Sequence, residues 1–208
     1  MPEITGVRER RGKARVYVDG EFWAEIDASV AAERGLREGV ALSQEELDGA
    51  RIAGERALAM ARALNYLGYR ARSEREVREL LLRRYGYGEE TTEGVVWRLK
   101  QLGYLDDGDF ARLVAREKAR RYGPRRISAE LRRSGVDAEL ARGVVEEEFA
   151  GRSELEEARS AAARRYNMGG SAAEARRVYG FLTRRGYSAE VCAAVAREYR
   201  EASAEDEI

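Results

Sequence analysis

One short phrase occurs three times in this chain of 208 residues, and its spacing constrains the fold more than any other feature. The phrase is Leu-x-Arg-x-Gly-apolar. It reads Leu82-Arg83-Arg84-Tyr85-Gly86-Tyr87, then Leu131-Arg132-Arg133-Ser134-Gly135-Val136, then Leu182-Thr183-Arg184-Arg185-Gly186-Tyr187. The leucines are 49 and 51 positions apart, and a valine stands nine residues beyond each glycine: Val95, Val144 and Val195. Each phrase describes a helix end. Leu faces a core, Arg sits in the last turn where the helix dipole favours a cation, and Gly takes the left-handed cap. Three such ends at near-equal spacing make the chain an array of repeats.

The first 42 residues differ in kind. Residues 4–10 and 14–18 alternate as strands do, with Gly12 and Lys13 expected at the turn. Asp19-Gly20 is a two-residue hairpin signal, and residues 21–26 give a third strand. Asp27 caps a short helix closed by Gly35. Three helical repeats then follow, over residues 43–103, 104–150 and 151–201, ending in an acidic tail at 202–208. Capping boxes open helices at Ser43, Ser73, Ser153 and Ser171, and Thr92, Asp137 and Ser188 are expected to cap others. Gly49 and Gly54 predict a break near residue 50. Leu58, Ala61, Leu64 and Leu67 are expected on one face of that region, Leu99 and Leu102 on a later helix, and Phe110, Leu113 and Val114 on the first helix of the second repeat. The fold class is therefore mainly α: tandem three-helix repeats in an elongated, curved array, with a small N-terminal β-meander.

No catalytic constellation is visible. Histidine is absent, which removes the commonest general base and metal ligand. The one cysteine, Cys192, has no partner for nucleophilic work and reads as a buried filler. No phosphate loop ending in Gly-Lys-Ser/Thr occurs. Asp106, Asp107 and Asp109 are explained more simply by capping than by a cation, so neither metal nor cofactor is expected. No run approaches the length of a membrane span, and residues 1–20 carry charges throughout, so a cytoplasmic location is the expectation.

Charge carries the functional signal. The net charge is zero, with 38 cations and 38 acids, which argues against a purely electrostatic nucleic-acid binder. Its distribution is uneven: residues 109–134 hold nine cations and three acids, and residues 135–157 hold two cations and eight acids. The candidate surface comprises Arg70, Arg72, Arg83, Arg84, Arg116, Lys118, Arg120, Arg121, Arg125, Arg126, Arg132, Arg133, Arg184 and Arg185. If the repeats stack with one rotation, these helix ends line one side and suit a phosphate backbone or an acidic protein groove. The competing reading is a solvated face paired with acids at helical spacing, such as Glu79 with Arg83.

Three stretches resemble the RecX family, regulators of the RecA recombinase. The first is Ala63-Leu64-Asn65-Tyr66-Leu67 followed by Arg70-Ala71-Arg72-Ser73-Glu74-Arg75-Glu76. The second is Leu99-Lys100-Gln101-Leu102-Gly103-Tyr104-Leu105-Asp106-Asp107, with Phe110-Ala111 after it. The third runs from Gly123-Pro124-Arg125-Arg126-Ile127 to Glu130-Leu131 and Gly135-Val136. The resemblance is most specific over residues 63–136 and weaker in the third repeat. It implies three-helix repeats and a monomer that binds the RecA filament, with single- or double-stranded DNA inside the filament as a further contact. It also implies inhibition of strand exchange, ATP hydrolysis and coprotease activity, hence control of recombination and the SOS response. It brings no catalytic residues. An autonomous DNA-binding repeat protein using the Arg-rich face is the alternative.

Overall fold

The chain opens with three antiparallel strands in the order β1 (Ile4–Arg10), β2 (Lys13–Val18) and β3 (Glu21–Asp27). The computed structural model describes residues 1–167 and 171–201, so the acidic tail lies outside the described residues. Both hairpins turn on pairs with positive φ, Arg11-Gly12 and Asp19-Gly20, as mirror-image tight turns require. The first turn thus falls one residue earlier than expected: Lys13 is already in the ladder, opposite Arg10. Ile4, Ala14, Val16, Ala24 and Ile26 point to one buried face. Such a sheet needs something to lean on. It has α1 (Ala28–Glu33), capped by Asp27, and α2 (Gln44–Leu67).

Helix α2 runs unbroken for 24 residues, which corrects the break expected near residue 50. Gly54 is there for proximity, since a Cβ at that position would stand 2.3 Å from the Cβ of Ile26. The buried stripe of α2 also differs from expectation. Leu47, Ala50, Gly54, Leu58, Ala59 and Ala63 face inward, whereas Ala61 and Leu64 are exposed. Small residues at helical spacing let the sheet and the next helices come close, and the larger Leu64 is left outside.

The first repeat combines the second half of α2 with α3 (Glu74–Glu79), a π-helical turn (Leu80–Arg84) and α4 (Glu89–Gln101). Both halves of the capping boxes at Ser43 and Ser73 are formed, and Ser73 is fully buried. Helix α4 begins at Glu89 with Gly88 at its N-cap, so Thr92 lies inside the helix, fully buried, rather than capping it. Leu102, expected inward, is exposed.

The second repeat is α5 (Asp107–Ala119), α6 (Pro124–Arg133) and α7 (Ala138–Phe149); the third is α8 (Glu154–Ala163), α9 (Ala172–Arg185) and α10 (Ala189–Glu201). Pro124 occupies the first turn of α6, where its missing N–H costs nothing. Asp137, Ser153, Ser171 and Ser188 each accept backbone N–H groups at helix starts. In α5, Phe110, Ala111, Ala115 and Ala119 are buried while Leu113 is exposed, a second place where alanine took the core position expected of leucine. Cys192 is fully buried, and burial pushes its thiol pKa up. The chain divides into two compact units, residues 1–106 and 107–208, so the second and third repeats share a unit.

All three phrase glycines have positive φ: 71° at Gly86, 90° at Gly135 and 88° at Gly186. In the second and third repeats the residue after glycine donates its N–H to the phrase leucine, Val136 to Leu131 at 3.1 Å and Tyr187 to Leu182 at 3.2 Å. That is the Schellman closure. The first repeat departs. Tyr87 donates to Leu81, not Leu82, and Tyr85 donates to Leu80 across the π turn. The fully buried pairs Val77/Leu81, Ile127/Leu131 and Val178/Leu182 share a four-residue step. Leu81 is therefore the structural equivalent, Leu82 is only half-buried, and the π turn absorbs one extra residue.

Candidate functional site

The fourteen candidate cations fall into two sets. In the first unit, Arg70 is taken by Glu76 at 2.6 Å, and Arg72 lies over the Tyr66 ring at 3.8 Å, within 3.6 Å of Glu76. Arg83 and Arg84 follow the π turn and are exposed. Glu79 pairs with Arg75 rather than with Arg83. The aromatic neighbours went unnoticed in the sequence: Arg62 stands over both Tyr85 and Tyr87, at 4.2 and 5.2 Å.

In the second unit the C-terminus of α9 meets the N-terminus of α6. Gly123 N–H donates to the Arg185 carbonyl at 2.8 Å, and Arg125 N–H donates to the Gly186 carbonyl at 3.1 Å. The free carbonyls that end one helix are satisfied by the free amides that start the other, with the two dipoles head to tail. Two side chains lace the joint from opposite directions: Arg126 Nη1 donates to the Arg184 carbonyl at 2.8 Å, and Arg185 Nη1 donates to the Arg121 carbonyl at 2.9 Å. Both guanidinium groups also lie over rings, Arg126 over Tyr122 at 4.0 Å and Arg185 over Phe181 at 4.6 Å. The backbones approach this closely because both helix ends carry glycine. A Cβ on Gly123 would come within 2.7 Å of the Gly186 oxygen, and one on Gly186 within 2.4 Å of the Arg126 Cβ. The second and third repeats therefore do not set equivalent helix ends side by side. The end of one second helix abuts the start of the other.

This joint gathers a cationic cleft of about 650 Å³. Lys118, Arg125, Arg126, Arg133 and Arg184 line it, with Glu130 as its single acid. Glu130 is paired with Lys118, and Arg125, Arg133 and Arg184 have no carboxylate partner among the described residues. Arg126 and Arg133 are seven apart on α6 and so share a face. Neither Tyr122 nor Thr183, which also line the cleft, stood out in the sequence. A smaller opening of about 510 Å³ lies against the same joint, but there Arg120, Arg152, Arg164 and Arg185 are offset by Glu156 and Glu157. Arg116 sits with Arg112 beside Glu147 and Glu148, and Arg132 is exposed outside the cleft. Forked guanidinium groups with few competing acids suit carboxylate or phosphate oxygens, and nothing in the cleft is arranged for bond making. No helix among the described residues is long and apolar enough to cross a membrane.

Two family models match the chain. The description "RecX, first three-helix domain" matches residues 59–99 and "RecX, second three-helix domain" matches residues 106–144. A protein of Lactobacillus johnsonii named regulatory protein RecX is 34% identical over 140 residues, covering 65% of this chain and 51% of that protein. One of Lactobacillus gasseri is 31% identical over 144 residues, covering 67% and 53%, so the match spans about half the length of these two relatives. One of Listeria welshimeri is 26% identical over 203 residues, covering 95% and 75%. Two crystal structures share the fold. One, of regulatory protein RecX, has a TM-score of 0.64 at 23% identity and covers 95% of this chain and 100% of that one. The other, of RecX from Lactobacillus salivarius, has a TM-score of 0.58 at 22% identity and covers 71% and 97%.

Proposed function

The chain belongs to the RecX family of regulatory proteins, and from that premise we propose that it binds the RecA nucleoprotein filament and inhibits ATP hydrolysis, strand exchange and coprotease activity. In this reading it is a cytoplasmic monomer that restrains recombination and the SOS response, with residues 43–103, 104–150 and 151–201 as its repeat units. The observation that carries the proposal is the cleft at the α6–α9 joint, where cations from two repeats converge with one acid between them. It supplies forked donors to an acidic protein surface or to DNA held within the filament.

Co-sedimentation with RecA on single-stranded DNA is the test. The protein should pellet with the filament, and Arg125→Glu with Arg133→Glu should release it while leaving the melting curve native. Arg126 is left intact because it laces the joint. Full retention of that double variant on the filament removes the cleft from the interface, and failure of the parent protein to pellet at micromolar concentration ends the proposal. The second reading, autonomous DNA binding, rests on the same unpaired arginines. It requires binding to naked DNA that falls steeply with salt.

A further inference from the structure

We propose that the groove between α9 and α10 is a docking site for the chain's own acidic segment, residues 202–208. The groove has a volume of about 460 Å³, with alanines such as Ala175 and Ala196 on its floor and Arg176, Arg197, Arg200 and Tyr179 around it. No carboxylate lines it. Glu201 takes Arg200 at 3.3 Å, while Arg176 and Arg197 have no carboxylate partner among the described residues.

Charge complementarity selects the occupant. Residues 202–208 supply Glu205, Asp206 and Glu207 together with the apolar Ile208. They directly follow α10, whose last turn carries Arg197 and Arg200. Four to six extended residues reach roughly 13–20 Å, and Arg197 lies only about 6 Å back along the helix from Glu201. The segment can therefore double back onto the groove. Tethering gives it an effective concentration on the order of millimolar, so charge pairs too weak to hold a free peptide still fill the site. Salt then opens it. The consequence is regulatory: an anionic partner that uses this face of the third repeat must first displace the chain's own acids. The inference does not depend on the RecA reading, and its test contains no RecA.

The test compares amide ¹⁵N–¹H spectra of the full chain with those of a chain ended at Glu201. Shifts are expected along residues 172–179 and 193–200, matched by E205Q/D206N/E207Q and abolished in about 0.5 M NaCl. R176E/R197E, checked for a native melting curve, should leave the segment's own amides as they are in high salt. Changes confined to the last turn before the cut overturn the proposal. So does a neutralised segment that leaves the groove unshifted, or shifts that scale with protein concentration, which would make a second copy the occupant. Shifts that appear only when an acidic peptide is added in trans overturn it equally.

Discussion

Gly86 and Gly186 close equivalent helices with the same left-handed turn, yet one faces open space and the other is shut against a neighbouring helix. A side chain at Gly86 would meet nothing within 4 Å, whereas at Gly186 it would strike the backbone nitrogen of Arg126 at 2.5 Å. The phrase therefore encodes how a helix stops but not what its end docks on. Docking was added once, by a second glycine, Gly123, on the facing helix. Gly186→Ala should accordingly combine left-handed strain with overpacking, a loss at the upper end of roughly 2–5 kcal/mol in urea unfolding. Gly123→Ala isolates the overpacking, because φ there is an ordinary −77°. If Gly186→Ala costs no more than Gly86→Ala, the joint is not closed and the contrast disappears.

The next effect sharpens the comparison at the open end. With the π turn in place, Leu81→Ala empties a fully buried site and should cost about 2–4 kcal/mol, while Leu82→Ala, half-buried, should cost about 1 kcal/mol. The reverse order would put the repeat back in the register its sequence suggests.

That register shows what was legible and why. Matching Leu82 to Leu131 and Leu182 aligned the phrase but ignored the partner one turn earlier. The pairs Val77/Leu81, Ile127/Leu131 and Val178/Leu182 were visible and contradicted it. Helix starts read well because a cap is local chemistry, as at Ser43, Ser73 and Asp137. Stripes read poorly wherever alanine packs the core, as at Ala59, Ala63, Ala111 and Ala115, because a small residue carries little hydropathy signal yet permits close approach. The site was half legible. Arginine positions were plain, but that Arg126 and Arg185 would spend themselves on carbonyls some sixty residues away, while Arg125, Arg133 and Arg184 stayed unpaired, depends on a long-range joint.

Gly86→Ala gives the third effect, left-handed strain alone, at about 1–2 kcal/mol. A loss well beyond that range would mean that the open end is packed against something after all.

Acid provides the smallest and most selective contrast, because it spares the joint. The joint is held by guanidinium and amide donors on carbonyl oxygens, none of which titrates in the accessible range. Elsewhere three carboxylates are held below their ordinary values: Glu25 by the hydrogen bond from Lys13, Glu46 by the Ser43 backbone N–H at its cap, and Asp137 by the backbone N–H of Leu140. Groups with depressed folded-state pKa values stabilise the protein above their unfolded values, here 4.5 for Glu and 3.8 for Asp, and lose that contribution as pH falls through the folded ones. With no histidine in the chain, stability should be flat from about pH 8 to pH 5 and decline below about 4.5. The penalty of Gly186→Ala, measured by urea unfolding at both ends of that range, should stay the same while the parent stability falls. A penalty that shrinks in step with the acid loss would show the joint leaning on carboxylates such as Glu130, and would erase the distinction between a capped end and a docked one.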